Sequence, residues 1–121
     1  MRISFHKQGL ELDDAQRDHI ELRLQFALGR FAPLVTKVAV HVADTNGRRG
    51  GVDKRCRLVT RVTGLDELVV EDHDQSFYVL IDRVTERLGH TVGRRLERER
   101  FGKERVAFDG RSPQTERNPD S

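Results

Sequence analysis

Tryptophan is absent from this chain of 121 residues and cysteine occurs once, and each of these facts excludes a class of protein. The single cysteine, Cys56, excludes an intramolecular disulfide and a zinc site built on several cysteines. With no tryptophan and one tyrosine, few aromatic side chains can stack on unpaired bases, which argues against sequence-specific reading of single strands. No apolar run has membrane-spanning length, and the first residues lack the apolar core of a signal peptide. We therefore expect a cytoplasmic protein with no membrane partner.

Motifs of cofactor and metal chemistry are also missing. The glycines at 47–51 do not precede a helix with the spacing of a phosphate-binding loop, and no H-E-x-x-H motif occurs. Cys56 falls on the inward side of a predicted strand, where it fills space rather than reacts. The acidic run 71–74 could serve acid–base chemistry, but an acidic strand end before a helix explains it more simply. We predict no enzymatic activity, no cofactor, no metal and no small-molecule substrate.

Hydrophobic periodicity predicts the order β-α-β-β-β-α. The first two strands flank a helix and should pair in parallel, whereas the remaining strands form an antiparallel meander. Each helix has one apolar stripe, so both should cover the same face of the sheet. The expected fold is α+β, a four-stranded sheet with two helices on one face. The predicted strands are 1–6, 34–44, 55–62 and 67–72, and the predicted helices are 14–28 and 76–100.

The pattern predicts one domain, 1–100, followed by a disordered charged tail, 101–121. Residues 44–53 are rich in turn formers and predict a mobile loop carrying Arg48 and Arg49. Phe5, Phe26, Phe31 and Phe77 are expected in the core.

Charge is unevenly distributed although the net charge is only +2. Residues 45–61 hold six basic residues against one acid, and residues 62–75 hold five acids with no lysine or arginine. Within the last helix the basic side chains share one row beside the apolar band: Arg83, Arg87, His90, Arg94 and Arg98. Such a row can face a polyanion while the apolar band holds the helix to its sheet. The alternative interpretation is a solvated helix surface.

The open face of the sheet is a second candidate surface. Arg55, Arg57 and Arg61 alternate outward on the third strand, and Val59 interrupts them. His6, Lys37 and His41 point to the same side. A phosphate backbone would bind favourably to either basic surface because counterions are released, and this binding would have no base specificity. The alternative for this face is a stripe that merely keeps an open sheet soluble.

In the first helix, Leu12, Asp13, Arg17, Ile20 and Arg23 fall in register with a known family pattern. The second helix matches that family at Phe77-Tyr78-Val79-Leu80-Ile81-Asp82, Val84, Arg87-Leu88, His90, Val92 and Arg94. On these residues the chain resembles the ribosome hibernation factors, a family that includes hibernation-promoting factor, ribosome-associated inhibitor A and the sigma-54 modulation proteins.

The resemblance implies a double-stranded-RNA-binding-like fold that occupies the mRNA and tRNA channel of the 30S ribosomal subunit and silences idle ribosomes. It implies 16S rRNA contacts along the second helix at Arg87, His90, Arg94 and Arg95, extended by Arg83 and Arg98. Arg23 of the first helix and the strand arginines complete the predicted RNA-binding set. Gly89, Gly93 and Leu96 depart from the family pattern. The two glycines either let another surface approach closely or lie on an exposed, frayed face, and we expect the second. Off the ribosome we expect a monomer.

A protein-binding regulator on the same fold, using the acidic segment 62–75 or the tail, is the alternative function. A hydrolase or transferase is a weaker third possibility.

Overall fold

A computed structural model describes the backbone of residues 1–44 and 54–109, with side chains up to residue 100. The elements follow the predicted order. They are β1 (Arg2–Gln8), α1 (Asp14–Leu28), β2 (Val35–Asp44), β3 (Lys54–Val62), β4 (Leu68–Asp74) and α2 (Phe77–Asp109). A 3₁₀ turn, Gly29–Phe31, follows α1. The predicted loop with Arg48 and Arg49 lies outside the described residues.

The sheet has the strand order β1-β2-β3-β4. Strand β1 pairs with β2 in parallel, and the other neighbours are antiparallel. His19 of α1 contacts Asp82 of α2, and Ala27 of α1 lies beside Gly89 of α2. The residue numbers of the contacts therefore increase in the same direction along both helices. The two helices therefore run parallel, and the α+β fold predicted from the sequence is confirmed.

Alternation along the strands places the core between the sheet and the helices. Val38, Val40 and Val42 of β2 are buried beside the inward residues of β3. From the helices, the buried apolar residues include Ile20, Leu24, Leu28, Ile81, Val84, Leu88 and Val92. One core prediction is wrong: Phe26 is 78% exposed. At 100° per residue, Phe26 lies about 160° away from Leu24 and Leu28, because it falls on the solvent side of α1.

Local signals set the ends of α1. Asp13 accepts the Gln16 backbone N–H at 2.8 Å, and the Gln16 side chain accepts the Asp13 N–H at 3.0 Å, which is the expected capping box. Gly29 stands at the C-cap but keeps right-handed helical angles (φ −53°), so the chain tightens into the 3₁₀ turn before Pro33.

Helix α2 ends at Asp109, nine residues beyond the predicted Arg100. The apolar stripe stops near Leu96, but a backbone helix needs no stripe when good helix formers follow and no proline intervenes. The division into a domain 1–100 and a disordered tail 101–121 stays a prediction. Residues 110–121 lie outside the described part of the chain.

Candidate nucleic-acid interface

The basic row of α2 divides into two groups with different partners. Arg83 and Arg87 bind the acidic end of β4. Arg83 Nε donates to Asp72 Oδ2 at 2.7 Å, and its Nη2 reaches His73 O at 3.0 Å and Asp74 Oδ2 at 3.2 Å. Arg87 donates to Glu71 O at 3.0 Å and to Asp72 Oδ2 at 3.2 Å. These arginines therefore bind the protein itself.

Asp72 is the centre of this network. Its side chain is 15% exposed and receives both guanidinium groups. The Arg83 hydrogen bond lowers the pKa of the Asp72 carboxyl, against a smaller opposing effect of burial. The backbone N–H of Ser76 is the main cause that lowers the pKa of Asp74. The two arginines also donate to the backbone carbonyl oxygens of Glu71 and His73 in β4, which is an edge strand.

Arg23 is also held inside the protein. Its Nε lies 3.3 Å from Asp82 Oδ1, and its guanidinium stands 5.5 Å from the centre of the Phe26 ring. His19 Nε2 approaches the same Asp82 oxygen at 2.7 Å. The ion pair thus joins α1 to α2. Because Arg23 already has this internal partner, it is a weaker candidate for an RNA contact.

The second group consists of His90 and Arg94 of the row, and we consider the neighbouring Arg95 with them. None of the three has an ion pair among the side chains the structure describes; His90 and Arg94 are exposed and Arg95 is half-buried. Arg98 is exposed and has an interaction of its own. This group therefore presents the Arg94 guanidinium and the His90 imidazole to solvent.

His90 and Arg94 line an open groove of about 830 Å³ together with Arg30, a residue that sequence reasoning missed. Arg30 follows α1 in the 3₁₀ turn, and its guanidinium stacks over Phe31 at 4.8 Å. Nothing in the sequence pattern connects Arg30 to the last helix, because only the parallel packing of α1 and α2 brings them together. Glu97 and Glu99 also line the groove and reduce its positive charge.

Two glycines of α2 have a packing role, and the expectation of a frayed, exposed face is wrong. Gly89 is buried, and a Cβ there would lie 2.9 Å from the carbonyl oxygen of Ala27. A Cβ at Gly93 would lie 3.3 Å from Cζ of Phe31. The glycines let the second half of α2 approach α1 closely, which forms the floor of the groove.

On the open face of the sheet, the outward arginines also differ in their partners. Arg55 lies 3.4 Å from Glu71, and Arg61 lies 3.6 Å from Glu67. Arg57 has no carboxylate partner among the described residues. Because the helices cover the opposite side of the sheet, the predicted RNA-binding residues form separate surfaces rather than one site.

The described residues give no sign of a metal centre or of a reactive thiol. No group of three or more potential metal ligands occurs among them. Cys56 is buried, and burial raises the pKa of its thiol to about 12. Among the described helices none is both long and apolar enough to cross a membrane.

These features define a class: a small α+β domain whose surfaces carry arginine and histidine clusters suited to electrostatic recognition. A family model described as Sigma 54 modulation protein / S30EA ribosomal protein matches residues 3–100. The chain belongs to this family of ribosome-associated modulation factors, which confirms the resemblance seen in the sequence. The family description names no enzymatic activity.

Two solved structures share the fold. The N-terminal domain of Protein Y from Thermus thermophilus is 27% identical, with a TM-score of 0.64 over 78% of this chain and 98% of that domain. A ribosomal subunit interface protein from Coxiella burnetii is 14% identical, with a TM-score of 0.66 over 80% of this chain and 99% of that one. At that identity the second comparison supports the fold alone. No curated protein matches the chain.

Proposed function

We propose that this chain is a ribosome hibernation factor that binds the small ribosomal subunit through 16S rRNA, in the channel used by mRNA and tRNA, and inhibits translation. Membership in the family and the similarity to the Protein Y domain support this proposal. The chain would act in the cytoplasm, as a monomer when it is off the ribosome.

One observation carries the choice of surface: His90 and Arg94 are exposed, have no ion pair within the described residues and flank a groove with Arg30. A cation without a carboxylate partner can replace a counterion of the RNA backbone without first breaking an ion pair. Guanidinium groups also match phosphate oxygens in bidentate geometry. The second half of α2 is therefore the proposed rRNA contact.

Arg83 and Arg87 are assigned a different role in this proposal. Each would have to release Asp72 before it could bind a phosphate. They instead fix the end of β4 under α2, so they hold the helix that presents His90 and Arg94.

The acidic segment gives little support to the alternative of a protein-binding regulator. Four of its five acids contact arginines of the same chain, which leaves Asp66 as the exception within this fully described segment. A partner that recognises acidic side chains would have to compete with those pairs.

Co-sedimentation with purified 30S subunits at about 50 and about 200 mM salt tests the proposal, since phosphate contacts weaken strongly over this range. We expect binding that falls steeply with salt. Arg94→Glu should weaken binding by about tenfold and reduce the salt slope by about one or more. A translation assay with the same proteins should show inhibition by the wild-type chain alone or at much lower concentration.

Arg61→Glu is the matched control, because it makes the same charge change at an exposed arginine on the opposite face of the sheet. It should reduce 30S binding less than Arg94→Glu. Equal losses in the two variants would show that net charge, rather than the α2 surface, governs binding. Absence of wild-type binding at both salt concentrations would refute the proposed function.

A further inference from the structure

The open face of the sheet carries a row of residues in register across all four strands. His6 of β1 is paired with His41 of β2, His41 with Arg57 of β3, and Arg57 with Glu71 of β4. Side chains directly across neighbouring strands are the closest on a sheet face. This row therefore brings two imidazoles and a guanidinium together.

The two imidazoles are stacked. Their ring centroids are 4.5 Å apart and the ring planes differ by 14°. Ser4 Oγ lies 3.3 Å from His6 Nε2, which anchors the outer ring. Parallel stacking at this distance is unfavourable when both rings are charged, because no counter-charge lies between them. Burial, His6 and Arg57, in that order, lower the pKa of His41 below its ordinary value.

Arg57 completes the row without a carboxylate of its own. Glu71 is opposite Arg57 in register, but its carboxylate lies 3.4 Å from Arg55 instead. The row borders a shallow pocket of about 300 Å³, a size at the lower end for small-ligand sites. The charged and titratable side chains that line this pocket are His6, Lys7, His41, Arg55, Arg57 and Glu71.

Cations outnumber acids around this pocket even though Arg55 is neutralised by Glu71. Lys7 belongs to β1 and is engaged by Glu11 at 3.0 Å. The helices lie on the far side of the sheet and contribute no charge to the row. What remains without a counter-charge in the described residues is Arg57 and the stacked histidines.

We propose that His6, His41 and Arg57 form a phosphate-binding site on the open face of the sheet. A phosphate group would accept hydrogen bonds from the guanidinium and from the protonated imidazoles. Its negative charge would also relieve the repulsion between the stacked rings. The site is separate from the α2 surface, and only its use for RNA depends on the proposed function.

Linkage gives the site a pH dependence with a defined sign. A bound anion stabilises the charged form of the imidazoles, so binding takes up protons at the histidines. For an anion whose own charge is constant over the histidine range, such as a phosphodiester or inorganic sulfate, affinity must therefore increase as the pH falls through that range.

The test is an NMR titration of the histidine ring protons with inorganic phosphate, at about pH 6 and about pH 8, against sodium chloride of equal ionic strength. We expect the signals of His6 and His41 to move in a saturable way with inorganic phosphate. The same titration with inorganic sulfate, whose charge is constant over this range, should show affinity at least about threefold higher at the lower pH. His19 and His73 serve as internal references, whereas His90 is left out because it belongs to the proposed rRNA contact of α2. Arg57→Gln should abolish the response, and Arg61→Gln should retain it because Arg61 is paired with Glu67 on the same strand and face.

A titration with a short RNA duplex separates the two sources of phosphate. Movement of the same two signals, reversed by inorganic phosphate, would identify the RNA backbone as the ligand. Saturation by inorganic phosphate without any response to RNA would identify a free phosphate compound. The proposal is overturned if all histidines respond alike, or if Arg57→Gln responds as the wild type does.

Failure here can be told apart from failure of the proposed function. A wild-type chain that does not co-sediment with 30S subunits but still shows the histidine response keeps the phosphate site and loses the ribosome role. Arg94→Glu should lose 30S affinity and keep the histidine response, because Arg94 is on the helix side of the sheet.

Discussion

The two halves of the basic row on α2 have one spacing and two different environments. Arg83 and Arg87 in the first half contact Asp72, Asp74 and the carbonyl groups of β4. His90 and Arg94 in the second half face an open groove beside the turn after β3. The i,i+4 spacing is the same in both halves, so the difference in partners arises from the strand beneath them.

This comparison shows that the basic side chains of a stripe stay without a carboxylate partner only where the neighbouring element supplies none. Strand β4 runs antiparallel to β3, and its acidic end lies beside the start of α2. Further along, α2 passes Thr63 and Gly64 of the β3–β4 turn, which carry no charge. The first half thus holds the helix to β4, and the second half leaves His90 and Arg94 exposed, as the proposed rRNA contact requires.

The largest effect is expected at Gly89, where the two halves join. Gly89→Ala should lower the free energy of unfolding by about 1–3 kcal/mol, because the added Cβ would lie 2.9 Å from a backbone carbonyl that cannot rotate away. The helix propensity of alanine offsets only about 1 kcal/mol of this cost. Urea unfolding followed by circular dichroism measures the change.

Gly93→Ala is the matched control on the same helix. Its Cβ would meet the tip of the Phe31 ring at 3.3 Å and Arg30 at 3.7 Å, and both side chains can shift. The variant should be close to neutral or slightly more stable. If Gly89→Ala is as well tolerated as Gly93→Ala, the close approach of α1 to the second half of α2 is wrong.

Most of the fold followed from local patterns in the sequence. The capping box at Asp13 fixed the start of α1, and strict alternation of valines identified β2 and its buried face. The basic row itself was also visible. Its division was not, because the pairing of Asp72 with Arg83 and Arg87 depends on how β4 packs beside α2.

The same limit applies to Arg30, Gly89 and Phe26. Arg30 reaches the groove through helix–helix packing, and a close approach of another surface at Gly89 was the less favoured of two interpretations of that glycine. Phe26 was expected in the core from its residue type alone, although its helical phase points to solvent. The helical period therefore could have placed Phe26 at the surface, whereas the positions of Arg30 and Gly89 depend on helix–helix packing that no single-sequence period encodes.

A smaller effect is expected when the anchor of the first half is removed. Asp72→Asn should lower the free energy of unfolding near neutral pH by about 1 kcal/mol, a value kept low because both arginine partners are largely exposed. The folded-state pKa of Asp72 is lowered, so its contribution is present above the unfolded pKa of about 3.9 and is lost as pH falls through the folded value. Urea unfolding at about pH 6 and about pH 3 should show the gap between wild type and variant closing in acid.

Asp66→Asn is the control for that experiment, since Asp66 belongs to the same acidic segment and has no ion pair among the described residues. It should leave stability nearly unchanged at both pH values. A gap between wild type and Asp72→Asn that persists unchanged at about pH 3 would contradict the assigned ion pairs.

The smallest stability effect compares one arginine from each half directly. Arg83→Gln should lower Tm by no more than a few degrees, since the Arg83 side chain is 43% exposed and water replaces part of the lost interaction. Arg94→Gln should leave Tm unchanged within error, because it has no carboxylate to lose in the described part of the chain. In 30S co-sedimentation the order should reverse, with Arg94→Gln weakening binding more than Arg83→Gln. A pair of variants that changes Tm and 30S affinity equally would mean that the two halves of the row are not distinct, and the assignment of the second half as the rRNA contact would then lose its structural basis.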